Sequence, residues 1–317
     1  MNLARQVALK ARSLLTRPIR YRRMKRHCAQ GTAPMNVLFY HRVADTHPND
    51  WTISRSGFRR HVEFCRDNFE MVDLAAVQSR LETGRNDRPT VTFTFDDGYA
   101  ENSDFAFPLI LEKKVPTTYF VATEHVLRQT PFEHDVASGS PLPVNTKQQI
   151  REASDAGIEI GHHTKNHVDF SNIRDAKTIR DEIVHGKQDL EDMIGRPVRY
   201  FAVPFGLPRQ LHPVVIDTIH EAGFDGFCSA FGAYNVPGND SFHLRRFHGD
   251  PEFARLENWL SFDPKKTKNE PNVPTARRGE ALDENKRNEA DRGGVSMPPI
   301  RVAPSMASSA LDSGVSR

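Results

Sequence analysis

The chain holds 317 residues, 38% of them hydrophobic and 26% charged, enough for one large domain or two small ones and for a core that needs no disulfide or metal to hold it. Cys28, Cys65 and Cys228 lie far apart with no CxxC spacing, which excludes a disulfide framework and a four-cysteine zinc site. No apolar run approaches the roughly 18 residues that cross a bilayer, so no membrane-spanning helix is expected.

The net charge of +2 hides an asymmetry. Residues 1–44 contain ten of the 43 Lys and Arg residues and none of the 41 acids, so from Asp45 onward 33 bases face 41 acids, a net charge of −8. The basic character belongs to an N-terminal arm, which argues against a nucleic-acid-binding role for the whole chain. In the first 27 residues Leu3, Val7, Ala11, Leu14 and Leu15 share one side of a helix at about 100° per residue, with Arg5, Lys10, Arg12 and Arg17 on the other. Pro18 is expected to end the regular part. Bases interrupt every candidate apolar stretch, so the segment is not read as a secretory signal. Two readings of residues 1–34 stand: an amphipathic arm that meets an anionic membrane surface or a partner, or a disordered arm or upstream sequence before a start at Met24 or Met35.

From Asn36 onward strands and helices alternate. Strands are expected at Asn36–Tyr40, Glu70–Leu74, Thr90–Phe95, Thr117–Val121, Ile158–Gly161, Tyr200–Val203 and Gly226–Ala230, where β-branched and aromatic residues cluster or alternate. Helices are expected at Phe58–Asn68, Ala106–Lys113, Thr146–Asp155 (with Gly157 as its stop), Ile179–Ile194 and Pro213–Ala222. The order predicts a parallel α/β sheet or barrel over residues 35–263. Residues 264–317 contain no aromatic residue and are rich in Pro, Ser, Gly, Asn and charge, so that segment is expected to be a disordered tail.

Two local patterns carry chemistry. Phe95-Asp96-Asp97-Gly98-Tyr99 puts adjacent carboxylates at the end of a hydrophobic strand, where catalytic groups of β/α barrels collect; an ordinary acidic turn is the bland alternative. Gly161-His162-His163-Thr164-Lys165-Asn166-His167 follows another strand, and a helical turn would put His163 and His167 on one face, as metal chelation requires. No Glu follows the first histidine, so this is not the HExxH protease motif and a general base must come from elsewhere, with Asp96-Asp97 on offer.

Taken in order, Phe95-Asp96-Asp97-Gly98, His163-Thr164-x-x-His167 some 66 residues after Asp97, and Phe201-Ala202-Val203-Pro204-Phe205-Gly206 resemble the polysaccharide deacetylases, the NodB-homology group or carbohydrate esterase family 4. Val115–Val121 fits the same pattern, and the resemblance covers roughly residues 36–250. It implies a distorted (β/α)7 barrel and a divalent metal, most often Zn2+, held by Asp97, His163 and His167. It further implies Asp96 as general base and a substrate that is an acetylated glycan or sugar. Many members carry an arginine where this chain has Ala202; Arg246 is the matching candidate for that role, with Arg245 second. Tyr40-His41-Arg42-Val43 is similar to the permuted subgroup acting on exopolysaccharides, which makes His41 the general acid and His248 its rival.

The expected function is therefore a metal-dependent hydrolase removing acetyl groups from N-acetylated, less readily O-acetylated, sugars. A catalytically weak, metal-containing glycan-binding barrel is the alternative. A third reading makes the basic arm an RNA or membrane tether and the barrel incidental. No nucleic-acid partner is expected, and the expected location is cytoplasmic, with peripheral attachment at the inner membrane face through residues 1–27 left open. Cys65 and Cys228 read as small core residues, Phe205, Phe231 and Tyr234 as core or sugar-stacking aromatics, and His125, His134 and His185 have no assigned role.

Overall fold

A computed structural model describes residues 3–263 together with 266, 273 and 275. The expected disordered tail, 264–317, otherwise lies outside the described residues. Nine strands form one sheet: β1 (Met35–Tyr40), β2 (Glu70–Met71), β3 (Thr90–Phe95), β4 (Thr117–Val121), β5 (Glu159–His162), β6 (Tyr200–Ala202), β7 (Gly226–Cys228), β8 (His243–Leu244) and β9 (Phe247–His248). The order is β8-β7-β6-β5-β4-β3-β1-β9, with β2 beside the start of β3, and every pairing is parallel.

One topological fact fixes the shape. β8 and β9 lie at opposite ends of that order, yet only Arg245 and Arg246 separate them in the chain. Consecutive Cα atoms are about 3.8 Å apart, so two intervening residues can join the two edges only if the sheet curls until they nearly meet. Asn235 ties this seam: it exchanges backbone hydrogen bonds with Met35 on β1, and its side chain accepts from the Arg245 N–H and donates to the Arg245 carbonyl. The fold is thus α/β, a curled parallel sheet of barrel type.

The two-residue period of a strand sorts its side chains between inside and outside. Outward residues Leu38, Tyr40, Val91, Phe93, Phe95, Tyr119, Val121 and Phe201 pack beneath the helices in the main core. Inward residues Met35, Val37, Phe120, Tyr200, Ala202, Cys228 and Leu244 form a second cluster, joined by Leu74, Val77 and Leu81 of the helix Leu74–Glu82. That helix replaces the far end of the expected strand Glu70–Leu74: Asp73 caps it by accepting the Ala76 N–H, leaving a strand of two residues.

Other expected elements appear with small shifts at their ends. Thr146 and Gln149 form a reciprocal cap at the start of Lys147–Asp155, and Gly195 ends the long helical run in the left-handed region. That run begins at Ala176 and carries a π-helical segment, Asp181–His185, within it.

At the N-terminus a single helix runs from Leu3 to Ala29, through Pro18 rather than ending there. Proline removes one intrahelical bond, but contacts on either side hold the helix to the body. Arg12 pairs with Asp263 at 2.5 Å, and Arg20 donates to Ser261 Oγ at 2.6 Å. The neighbour supplying these contacts is the terminal helix, Phe253–Leu260, and the turn after it.

Close packing inside the sheet makes a prediction at Gly161 on β5. A Cβ there would overlap the Phe120 ring and lie 3.2 Å from the Tyr200 carbonyl oxygen. Gly161→Ala is expected to destabilise the protein by about 1–3 kcal/mol in urea unfolding, through overpacking between strands that cannot move apart.

Candidate active site and metal centre

Strand parity delivers the first group of residues. Thr94 points inward from β3, and Asp96, two residues on, keeps that direction just past the strand end. Leu244 points inward from β8, so Arg246 does as well, while Arg245 takes the opposite parity. The two meet across the sheet: Arg246 Nη1 lies 2.7 Å from Asp96 Oδ1 and Nη2 lies 2.9 Å from Oδ2. Arg246 also donates to Thr94 Oγ1 at 3.0 Å and to the Ser229 carbonyl at 2.9 Å, and its guanidinium lies between the Phe39 and Phe120 rings. Burial would raise the Asp96 carboxyl, but Arg246 outweighs it and holds the group below its ordinary value.

Asp97 leaves the strand direction altogether. Its φ of +79° turns the chain, and Gly98 at +130° continues the turn in a region open to glycine. The Ala122 N–H binds the Asp97 carbonyl and the Asn145 N–H binds that of Gly98, which fixes the turn. Asp96 and Asp97 therefore diverge, one to Arg246 and one to the histidines.

His163 and His167 do converge, though not on a helix as their spacing suggested. Residues 163–167 form an irregular loop in which Thr164 and His167 both have positive φ, +61° and +53°. Asp97 Oδ1 lies 3.5 Å from His163 Nε2 and 3.3 Å from His167 Nε2, and the three ligand atoms lie within 4.8 Å of one another. His163 Nδ1 donates to the Ala202 carbonyl at 2.8 Å, which points Nε2 at Asp97. Asp97 Oδ1 is buried and accepts no hydrogen bond. A buried carboxylate oxygen facing two imidazole nitrogens, with nothing donating to it, fits a divalent cation: two nitrogens and one oxygen, with room for further ligands. Asp97, His163 and His167 are the residues that could hold it.

Glu182 holds the loop and was missed by sequence reasoning. It is buried in the π-helical segment, where Oε2 accepts from the Lys165 and Asn166 N–H groups at 3.0 and 2.8 Å and Oε1 accepts from Asn166 Nδ2 at 2.7 Å. Its signal was an acid three residues after Ile179 and one before Ile183, on the face that should be apolar. The Glu182 carbonyl also lies 3.0 Å from His162 Nε2, so His162 serves the scaffold and not the ligand cluster.

The cluster opens into a cavity of about 430 Å3 lined by His41, Trp51, Asp96, Asp97, His134, His163, His167, Phe205 and Arg246, among others. His41 continues the inward parity of β1, and its ring lies 4.8 Å from that of Trp51. His41 Nδ1 is buried without a partner. Burial lowers its pKa, and the charges of Asp97 and Asp96 oppose that. The His248 ring lies 6.2 Å from that of His41, tilted by 51°, and does not line the cavity; its pKa is pushed down to about 4, chiefly by burial. His134, assigned no role from sequence, reaches the cavity with Tyr99 Oη 3.0 Å from its Nε2.

A family profile described as polysaccharide deacetylase matches residues 83–226, the stretch that contains Asp96, Asp97, His163, His167 and Glu182. Over that stretch the chain is similar to the polysaccharide deacetylases. A curated relative, the peptidoglycan-N-acetylglucosamine deacetylase of Bacillus cereus, is 29% identical over 140 residues, 44% of this chain and 55% of the relative. The chain spans little more than half the length of the curated relatives it matches. Among solved structures, the Streptococcus pyogenes deacetylase PplD in complex with acetate aligns with a TM-score of 0.60 at 16% identity, covering 74% of this chain and all of that one. IcaB from Ammonifex degensii aligns with a TM-score of 0.61 at 22% identity, covering 72% and 97%. At these identities the two structures bear on the fold, which they share with this chain.

The loop geometry generates a prediction at Glu182. Glu182→Ala removes the acceptor of the Asn166 N–H and side-chain amide and one of the two acceptors of the Lys165 N–H, and is expected to weaken divalent-metal affinity about 10–100-fold by titration. Glu182→Gln, whose amide oxygen can accept both N–H groups, should restore most of it. Equal metal affinity in all three proteins would show that Glu182 does not position the ligands.

Proposed function

We propose that the protein is a metal-dependent hydrolase that removes acetyl groups from N-acetylated sugars of a poly- or oligosaccharide. The observation that carries the reading is the divergent pair of adjacent carboxylates: Asp97 faces two imidazoles, while Asp96 is held beside it by Arg246 at 2.7 and 2.9 Å and stays clear of them. A site that only stored a cation would have no use for a second, ligand-free carboxylate restrained in this way.

The proposed ligands are Asp97, His163 and His167, and zinc is the expected ion for that donor set. When bound, it supplies Lewis acidity, making water more acidic and polarising the acetyl carbonyl. Asp96, kept ionised by Arg246, takes the proton of the attacking water. The water oxygen bonds to the carbonyl carbon and the C–N bond breaks, releasing acetate. The leaving nitrogen must be protonated, since an amine anion is too poor a leaving group near neutral pH; His41, beside Asp96 and Asp97 in the same cavity, is the proposed donor. Trp51 and Phe205, both exposed at the mouth, offer apolar faces to a sugar ring.

Asp96→Asn is expected to retain the metal, by elemental analysis of the purified protein, and to lower acetate release from N-acetylated glycan oligomers by about 10²–10⁴-fold. Bound metal with no acetate from the unmodified protein on any acetylated glycan would favour a glycan-binding barrel instead. Acetate release by Asp96→Asn at the unmodified rate would remove Asp96 from the chemistry.

For His41 the leaving group supplies the test. His41→Ala should cost about 10²-fold or more on an N-acetyl substrate and much less on an activated aryl acetate, whose leaving group departs without a proton. An equal loss on both substrates would make His41 a structural residue and return the acid role to another group.

A further inference from the structure

The N-terminal helix is amphipathic, but it is mounted with its apolar side outward. Ser13 and Arg20, each 4% exposed, face the body. Roughly half a turn away lie Val7, Leu14 and Leu15, exposed by 59%, 69% and 79%, with Ile19 and Tyr21 beside them. Ten large apolar side chains are exposed among the described residues, and these five lie on this one helix. Three of the others, Trp51, Phe205 and Leu207, line the active-site cavity, where a substrate would cover them. Nothing described in the chain covers the helix stripe, and so concentrated an exposed apolar face marks an interaction site.

Charge identifies the occupant. Residues 1–44 contain no acid, and Lys10, Arg17, Arg22, Arg23, Lys25 and Arg26 are all exposed. The acids of the neighbouring helix and turn are turned to the inner side, where Asp263 pairs with Arg12 and Glu257 accepts from Ser13. The outer side therefore presents an apolar stripe flanked by bases and followed by a basic last turn. That is the geometry of a helix lying in the plane of a membrane, with Leu and Tyr at the acyl boundary and Lys and Arg among anionic headgroups. The helix cannot cross: no helix among the described residues is long and apolar enough.

We propose that the outer face of Leu3–Ala29 docks the protein on an anionic membrane surface. The bases draw the helix to the headgroups and the stripe inserts, while the inner contacts keep the folded body attached to the helix. This is independent of the hydrolase reading, because no residue of the metal cluster or its cavity takes part.

The test is sedimentation of the full chain with vesicles of mixed phosphatidylcholine and phosphatidylglycerol, with pure phosphatidylcholine vesicles alongside. The unmodified protein should pellet with the anionic vesicles, less at high salt, and stay in solution with the neutral ones. L14D/L15D changes only exposed side chains and should weaken binding about tenfold or more with unchanged thermal unfolding and metal content. R22Q/R23Q/R26Q should also weaken it, by removing charge alone. Failure to pellet with anionic vesicles, or equal pelleting of both variants and the unmodified protein, would overturn the proposal. So would a lipid-free dimer that L14D/L15D dissociates, which would assign the stripe to a second copy.

Discussion

One buried ion pair joins the shape of this protein to its chemistry. Arg246 belongs to the two-residue link that brings the two edges of the sheet together, and its guanidinium grips Asp96 across the interior. Burying such a pair is costly unless every polar atom is satisfied. Here both carboxylate oxygens take a guanidinium N–H, and two further donors go to Thr94 and to the Ser229 carbonyl. Removing one partner of a buried pair costs about 3–5 kcal/mol, because the other is left charged in a dry place. The curl of the sheet and the ionised state of Asp96 therefore stand or fall together.

Asp97 is the counterpart. It is as deeply buried as Asp96, yet it has no guanidinium and no hydrogen bond to Oδ1; its neighbours there are two imidazole nitrogens. Something positive is required, and without a metal the requirement falls on the histidines. Burial pulls the His167 imidazole down, but Asp97 outweighs it and holds its pKa above the ordinary value. A cation would satisfy all three residues at once. Adjacent carboxylates thus reach opposite solutions to the same desolvation problem, and a single left-handed residue at Asp97 is what separates them.

How much of this was readable beforehand depended on the length of the element. Thr90–Phe95 alternates over six residues and Thr117–Val121 is an unbroken run of five β-branched and aromatic residues, and both strands appear with those bounds. Asp97, His163 and His167 stood out because three motifs came in a fixed order. The reason offered for the histidine pair, a helical turn, was nevertheless wrong: the loop uses positive φ at Thr164 and His167, which four-residue spacing does not reveal. β8 and β9 have two residues each, too short to show a period, so the sequence left Arg245 and Arg246 in competition. In the structure Arg246 shares the inward parity of Leu244 and reaches Asp96, while Arg245 has the opposite parity. Glu182 was hidden because its partners are backbone N–H groups of a distant loop, and no residue pattern encodes those.

An alanine at position 202, where many of the polysaccharide deacetylases that the sequence resembles carry an arginine, motivates the weak-barrel alternative together with the unassigned acid, and the packing around Ala202 bears on the first of these. Ala202 is fully buried in the inward cluster with Phe120, Cys228 and Leu244, and its carbonyl orients His163. The guanidinium that arrives from the seam passes close to the same Phe120 ring. A small residue on β6 and a large cation from the β8–β9 link are therefore complementary: the interior has one guanidinium to accommodate, and it enters from the other edge of the sheet. The guanidinium that meets Asp96 comes from the β8–β9 link and not from β6. Since that link also closes the sheet, the arginine is anchored at its backbone by the two strands it joins and at its head by Asp96, Thr94 and the Ser229 carbonyl, and Asp96 is restrained by a group that is itself restrained.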